Sequence, residues 1–184
     1  GTTLTWVYDQ NSHIPTATAA SGITGETISL SIVEAKTNAG TTTKKLQSVI
    51  IKDNSGTEVT NNYNITKVNG SLIISKVPAT CPTLSPYEGI YDGESHSITV
   101  TSGDGGTIQY RKGLDGSWRS TKYSFTSATT TTIYVKMKPD INHTEVNCGN
   151  KSVKIAKRVI TITATNQSKS YDGTALTANK TCEI

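Results

Sequence analysis

Apolar and polar residues alternate along this chain over short stretches, and turn-forming residues separate those stretches. Ile133, Val135 and Met137 alternate with polar or amphipathic residues in TIYVKMK, and Val153 and Ile155 alternate in the same way further on. A period of two is typical of strands with one buried face. No stretch shows apolar residues sustained at helical spacing, so the sequence predicts an all-β fold with almost no helix.

The sequence also repeats with a period near 80 residues. Tyr-Asp pairs lie 83 and 80 residues apart, at Tyr8-Asp9, Tyr91-Asp92 and Tyr171-Asp172. A short apolar strand ending in Lys recurs 81 residues apart, as LIISK at 72–76 and VKIAK at 153–157. Two markers with one period indicate a tandem array. We predict a first unit at 1–76 with part of its first strand missing, a second unit at 77–157, and the truncated start of a third at 158–184.

Each unit is predicted to contain short strands joined by turns. In YNITKVNGSLIIS, Asn69-Gly70 suits a two-residue hairpin turn, because both positions tolerate positive φ. Such a hairpin would place one set of residues on a buried face, namely Tyr63, Ile65, Leu72 and Ile74. In the second unit, Asp115-Gly116 marks a turn after a strand that contains Ile108 and Tyr110. Short strands with frequent turns in units of this size favour a β-sandwich.

Composition and charge exclude two classes of partner. The formal net charge is +4, but the Lys and Arg residues are scattered along the chain. A nucleic-acid groove needs clustered cations, so no nucleic acid is predicted as a partner. No apolar run approaches the length of a membrane-spanning helix, so this fragment is not expected to insert directly into a membrane.

The sequence contains no catalytic or metal-binding motif. There is no nucleophile elbow, P-loop or Gly-x-Gly-x-x-Gly. No two of His13, His96 and His143 have metal-ligand spacing, and no Cys-x-x-Cys occurs. Asp104 and Asp115 lie in glycine-flanked turns without the series of oxygens that calcium needs. We predict no enzyme, no metal and no cofactor.

Trp118 is the strongest candidate for ligand binding. It follows the Asp115-Gly116 turn, and Arg119 and Tyr123 are close in sequence. An exposed Trp-Arg pair can anchor a protein or sugar ligand. The favoured interpretation is structural, with Trp118 folded over the end of the sandwich as part of the core. The Tyr-Asp-Gly segments are likewise interpreted as structural turns.

Three stretches resemble the YDG-type and MBG-type repeats of bacterial surface proteins and related Ig-like modules. They are VITITATNQSKSYDGTALTA, VTNNYNITKVNGSLIISK and YDGESHSITV…GGTIQYRKGLDGSW…TIYVKM, and together they cover almost the whole chain. The resemblance implies tandem, extracellular Ig-like β-sandwich modules without catalytic activity, and it supplies no ligand site. Gln10 stands where the family has Gly, which leaves the form of the first turn open.

This resemblance and the repeats lead to a functional prediction. The chain is expected to belong to a bacterial surface or secreted protein, in which non-catalytic modules act as a stalk or adhesion scaffold. The alternative is an accessory module of a larger secreted enzyme that binds carbohydrate or protein. The expected partners are neighbouring repeats of the same parent chain and a host protein or glycan.

Two cysteines of the second unit are candidates for a disulfide. Cys81 lies in its opening strand and Cys148 near its closing strand, and the first and last strands of an Ig-like sandwich often run side by side. The alternative, weighed equally, is two reduced cysteines buried as small apolar groups. Cys182 is left over as an odd cysteine.

The junctions between units are predicted to be stiff. The segment 152–163 contains no Gly or Pro and is β-prone throughout, whereas Pro78, Pro82 and Pro86 stiffen the first junction. An elongated arrangement is therefore expected. Residues 158–165 are predicted to form a strand that either extends the sheet of the second unit or fills a vacant edge of the first unit in a neighbouring molecule.

Overall fold

Strands account for nearly all the regular structure in the computed structural model, which describes residues 3–32, 35–164 and 166–176. The only helical segment in that part of the chain is a single 3-10 turn at Thr60–Asn62. The nearly all-β prediction is confirmed, and the arrangement is consistent with a β-sandwich.

The first unit contributes five strands. They are β1 Thr3–Val7, β2 Thr27–Ile32, β3 Gly40–Lys44, β4 Leu46–Lys52 and β5 Gly70–Ser75. Strands β1, β5 and β3 form one sheet with β5 in the centre, and β2 and β4 form another. β1 runs parallel to β5, with Thr3 opposite Ser71, while β3 runs antiparallel to β5.

The second unit contains the remaining eight strands of the described residues. They are β6 Val77–Pro78, β7 Leu84–Ser85, β8 Tyr87–Ile90, β9 Thr99–Val100, β10 Gly106–Lys112, β11 Thr129–Pro139, β12 His143–Thr144 and β13 Val146–Ala156. The main sheet has the order β10-β11-β13-β8, and two small sheets pair β12 with β6 and β7 with β9.

The closing strands of the two units are paired in the same way. In each unit the closing strand, β5 or β13, pairs in parallel with β1 or β8 and antiparallel with β3 or β11. In both units, a backbone hydrogen bond from the tyrosine of the Tyr-Asp segment to the closing strand continues the parallel pairing. The Tyr8 N–H donates to the Ser75 carbonyl at 2.9 Å, and the Tyr91 N–H donates to the Ala156 carbonyl at 2.8 Å.

Alternation along β11 and β13 correctly predicted the buried face of the second unit. Ile133, Val135 and Met137 are fully buried, and Val153 and Ile155 lie on the same side of the sheet. All of these except Met137 belong to one core cluster, together with Ile98 and Tyr110, and Tyr123, Phe125 and other residues pack at its margin. The predicted turn after β10 is also present, over residues 113–116.

The hairpin predicted around Asn69-Gly70 is wrong. Residues 64–69 form no strand, and neither Asn69 nor Gly70 is among the described residues with positive φ. Strand β5 instead has β1 on one edge and β3 on the other, so both its edges are occupied by segments distant in sequence. The predicted core positions Leu72 and Ile74 are nevertheless buried, since burial depends only on their alternation.

The predicted continuous strand across 152–163 is also wrong. β13 ends at Ala156, and residues 157–164 lie outside any strand. The last partner of β13 is Ile90, opposite Ala156, and the chain beyond Ile90 enters the Tyr91-Asp92 turn. Among the described residues, β8 therefore offers β13 no strand partner past Ala156. The prediction that 158–165 extends this sheet fails for the described residues 158–164, and residue 165 lies outside the described part.

Candidate functional site

The Tyr-Asp segments form the same turn in three places. The Asp side chain accepts a hydrogen bond at 2.9 Å from the backbone N–H two residues later, as in Asp9 to Asn11, Asp92 to Glu94 and Asp172 to Thr174. The intervening residue has positive φ in each case, at Gln10, Gly93 and Gly173. Gln10 adopts the left-handed conformation that Gly usually supplies, so the first turn keeps the form of the others.

A histidine completes this turn in the first and second units. The Nε2 atom of His13 lies 2.9 Å from an Asp9 carboxylate oxygen, and Nε2 of His96 lies 2.9 Å from Asp92. Each ring also stacks on an aromatic residue of the preceding strand, at 5.0 Å for Trp6 and 4.1 Å for Tyr87. The two histidines therefore connect the turn to the sheet.

Hydrogen bonding keeps these aspartates in their charged form. Bonds from the Asn11 side chain and from His13 lower the pKa of Asp9 to about 2. The His96 ring and the Glu94 N–H lower the pKa of Asp92, and the His143 ring lowers the pKa of Asp140. A carboxyl group with a lowered pKa is ionised at neutral pH and is a poor general acid. These groups suit turn formation better than proton transfer.

Asn142 connects the two units. Its side-chain oxygen accepts a hydrogen bond from the Ala39 N–H at 2.9 Å, and its amide nitrogen lies 3.2 Å from the Asn38 side-chain oxygen. Its backbone carbonyl accepts a bond from the Val77 N–H at 3.2 Å. Sequence reasoning missed this role, because the polar segment around Asn142 carries no signal of contact with residues about a hundred positions away.

His143 lies beside Asn142 and faces the first unit. Its Nδ1 atom lies 2.6 Å from Asp140, and its ring meets the ring of Tyr8 edge to face at 5.5 Å between centroids. The junction therefore combines hydrogen bonds with an aromatic contact. Within the described residues, no group of three His, Cys, Asp or Glu side chains is placed to hold a metal ion.

A disulfide joins Cys81 to Cys148 in the structure, with their Cα atoms 5.4 Å apart. Cys81 lies between β6 and β7, and Cys148 lies on β13. The covalent bond therefore ties the opening segment of the second unit to its closing strand. Cys182 lies outside the described residues.

The structure divides the Trp118, Arg119 and Tyr123 group between two surfaces. Tyr123 packs against the core cluster, and the Arg119 guanidinium lies 3.4 Å over its ring. Trp118 is half-buried and is not a member of that cluster. These residues do not form one site, because adjacent residues of an extended backbone point to opposite sides.

Trp118 instead belongs to a cluster on the outer face of the main sheet. The Arg111 guanidinium and the Lys136 ammonium both lie 4.8 Å from the Trp118 ring, and Arg111 also lies 5.0 Å from Tyr134. Arg111 and Tyr134 are opposite each other in β10 and β11. We call Arg111, Trp118, Tyr134 and Lys136 the outer-face cluster. Alternation could have placed Tyr134 and Lys136 on this face, since they fall between the buried positions of β11.

The outer-face cluster has chemical features of a binding surface. It places two cations against two aromatic rings, which suits a ligand that is both flat and acidic. The Nε atom of Arg111 is buried without a hydrogen-bond partner. Lys136 is also held by Glu145, with 2.8 Å between the charged atoms.

No protein-family model matches the chain, and no curated protein is significantly similar to it. In the part of the chain that the structure describes, no helix is long and apolar enough to cross a membrane.

Proposed function

We propose that this chain is a run of non-catalytic Ig-like β-sandwich modules from a bacterial surface or secreted protein, acting as a stalk or adhesion scaffold. The modules are arranged in tandem and elongated. The observation that carries this proposal is the parallel pairing of each unit's closing strand with a strand from the N-terminal part of the same unit, β5 with β1 and β13 with β8.

Parallel pairing of these strands resists a stretching force. A load on the ends of the first unit pulls β1 toward its N-terminus and β5 toward its C-terminus. The two strands are parallel from Thr3–Ser71 to Val7–Ser75, so this load slides one along the other. All the hydrogen bonds between the two strands then carry the load together. When two strands are instead pulled apart from one end, their hydrogen bonds break one at a time.

Two further features support a load-bearing module. The disulfide from Cys81 to Cys148 suits an oxidising compartment outside the cytosol. The bonds of Asn142 to Ala39 and Val77 connect the units directly. A junction of this kind holds the orientation of its neighbours better than a flexible polar linker.

Force spectroscopy tests the proposal. The full chain pulled from its two ends should rupture its first unit at a force several-fold higher than the same chain pulled from Thr37 and Lys76. Those two exposed sites load the antiparallel pair β3–β5 from one end, where Gly40 lies opposite Ile74. Equal rupture forces in the two geometries would remove the mechanical argument.

The same recording reports on the second unit. The disulfide spans a sequence separation of 67, so reduction should add about 220 Å of extension at ~3.3 Å per residue. This step should be absent when the chain is pulled without reductant.

The alternative function is ligand binding, as an accessory module of a secreted enzyme. The outer-face cluster is the observation that favours it, and acidic oligosaccharides are the ligands that its cations and rings suit best.

A matched pair of arginine variants tests ligand binding. If the cluster is a site, Arg111→Ala should weaken binding to immobilised uronic-acid or sulfated oligosaccharides by about 30-fold, a typical loss for a central contact residue. Arg119→Ala removes the same charge beside Tyr123 and should leave affinity unchanged. Surface plasmon resonance with neutral oligosaccharides as reference measures both, and equal losses would rule out a site at this cluster.

A further inference from the structure

The outer-face cluster continues onto the next strand of the main sheet. The register places Asn150 of β13 opposite Tyr134 of β11, and Tyr134 is itself opposite Arg111 of β10. It also places Asn147 of β13 opposite Lys136 of β11. Both asparagines are exposed. The polar surface that begins with the cluster therefore crosses three neighbouring strands.

A β-bulge in β13 brings both asparagines to this face. Residues three positions apart in a regular strand point to opposite sides of the sheet. The register shifts between Tyr134 and Lys136, so that a step of two residues in β11 matches a step of three in β13. Gly149 lies within the bulge and has φ of 85°, which glycine adopts without strain. Bulges often redirect side chains near functional sites, and this one gives the outer face a second amide.

Arg111 differs from two lysines of the same face in having no carboxylate partner. Lys136 is held by Glu145, and the Lys154 ammonium lies 2.9 Å from Glu88. No described carboxylate forms an ion pair with Arg111, and its buried Nε atom has no hydrogen-bond partner. A buried donor without an acceptor costs free energy and calls for a role beyond fold stability. The cluster therefore offers a ligand one unbalanced positive charge.

One unbalanced guanidinium suits a ligand with a single carboxylate. The planar fork of an arginine matches the two oxygens of a carboxylate group. A densely sulfated sugar would need several unbalanced cations, but Lys136 is already neutralised by Glu145, whose own charge repels sulfate. The aromatic rings of Trp118 and Tyr134 beside Arg111 suit a flat ligand such as a sugar ring.

The position of the asparagines suits a second, neutral sugar. Neighbouring strands lie ~4.8 Å apart, so the backbone at Asn150 is about 10 Å from the backbone at Arg111. Two linked sugar rings span this distance. A side-chain amide both donates and accepts hydrogen bonds, so it can pair with the hydroxyl and acetamido groups of a sugar without charge.

We propose that the outer face of the second unit binds an oligosaccharide in which a uronic acid is linked to a neutral sugar. The carboxylate pairs with Arg111, and the neutral sugar lies across β13 and forms hydrogen bonds with Asn147 and Asn150. This proposal rests on the ligand-binding function given above as the alternative. It narrows the acidic ligands to those with isolated carboxylates and adds the two asparagines to the site.

Isothermal titration calorimetry of the full chain tests the role of the carboxylate. An unsulfated disaccharide of glucuronic acid and N-acetylglucosamine should bind. The same disaccharide with its carboxyl group reduced to an alcohol should bind about 30-fold more weakly, because a hydrogen bond to a charged group is lost. Arg111→Ala should remove the difference in affinity between the two disaccharides.

Asn150→Ala tests the position of the neutral sugar. The variant should bind the disaccharide about five-fold more weakly, the loss expected for one neutral hydrogen bond, and should bind free glucuronic acid as the wild type does. Asn64→Ala is the matched control, because it removes an exposed amide from the first unit and should change neither affinity. Thermal unfolding followed by circular dichroism verifies that the variants are folded.

Glu145→Gln tests the charge balance of the cluster. The variant leaves Lys136 without its carboxylate partner and removes a negative charge from the edge of the site. It should therefore raise the affinity for a sulfated form of the disaccharide several-fold, and by more than it raises the affinity for the unsulfated form.

The outcomes distinguish a failure of this site from a failure of ligand binding altogether. If the wild type binds no acidic oligosaccharide, both the ligand-binding function and the two-sugar site are overturned. If binding requires Arg111 but Asn150→Ala leaves the affinity for the disaccharide unchanged, ligand binding stands and the two-sugar site is overturned. A wild type that prefers the sulfated disaccharide would overturn the assignment of an isolated carboxylate.

Discussion

Reduction of the bond between Cys81 and Cys148 should lower the free energy of unfolding of the second unit by about 4 kcal/mol, from the chain-entropy cost of its loop. The sequence separation is 67, so the closed loop covers most of the unit. A domain of this size has a total stability of only about 4–12 kcal/mol. Loss of the disulfide should therefore bring the second unit close to unfolding at physiological temperature.

Thermal unfolding with and without reductant measures this effect. The double variant Cys81→Ala/Cys148→Ala is the matched control, since it should unfold at the reduced midpoint and show no further change with reductant. Mass spectrometry of the untreated protein should find neither thiol free. An unchanged midpoint on reduction would contradict the expected contribution of the disulfide.

Gly106→Ala should destabilise the second unit by about 3 kcal/mol, as expected when a side chain is forced into a filled space. Gly106 begins β10 opposite Pro139 and has φ of 158°. A Cβ atom at this position would lie 2.1 Å from the Lys138 carbonyl oxygen. The obstacle is backbone, so the end of the β10–β11 pair would have to separate.

Gly113→Ala is the control for backbone conformation alone. Gly113 has φ of 63°, and nothing lies within 4 Å of a Cβ placed there. Its substitution should cost only the strain of a left-handed residue, about 1–2 kcal/mol. Urea denaturation of both variants measures the difference in their free energies of unfolding. Equal losses would mean that β10 and β11 accommodate the added Cβ atom at Gly106 without a measurable cost in stability.

Local alternation was sufficient to predict which residues are buried. Ile133, Val135 and Met137 needed no knowledge of their partner strands, because a period of two selects one face of any sheet. The same argument identified Leu72 and Ile74 as core positions. Strand partners could not be found in this way. β5 pairs with β1 and β3, which are distant in sequence, and no local signal indicated these two pairs in place of the hairpin expected at Asn69-Gly70.

The candidate sites were less accessible to sequence reasoning. Trp118 was recognised as a candidate, but its cationic neighbours Arg111 and Lys136 come from two different strands. Proximity in sequence pointed to Arg119 and Tyr123, which lie on the other side of the extended backbone. Asn142 carried no signal at all, because its partner Ala39 lies in the other unit.

By itself, the sequence determined the β character of the chain, its period and the recurring Tyr-Asp turn. These features depend on spacing and on bonds between residues two to four positions apart, such as Asp9 with Asn11 and His13. Only the tertiary structure decided which strands pair, where β13 ends and what the units share at their junction. Those outcomes depend on which backbone edges remain free once distant segments have packed. The segment 158–164 therefore lies outside any strand despite its β-prone sequence.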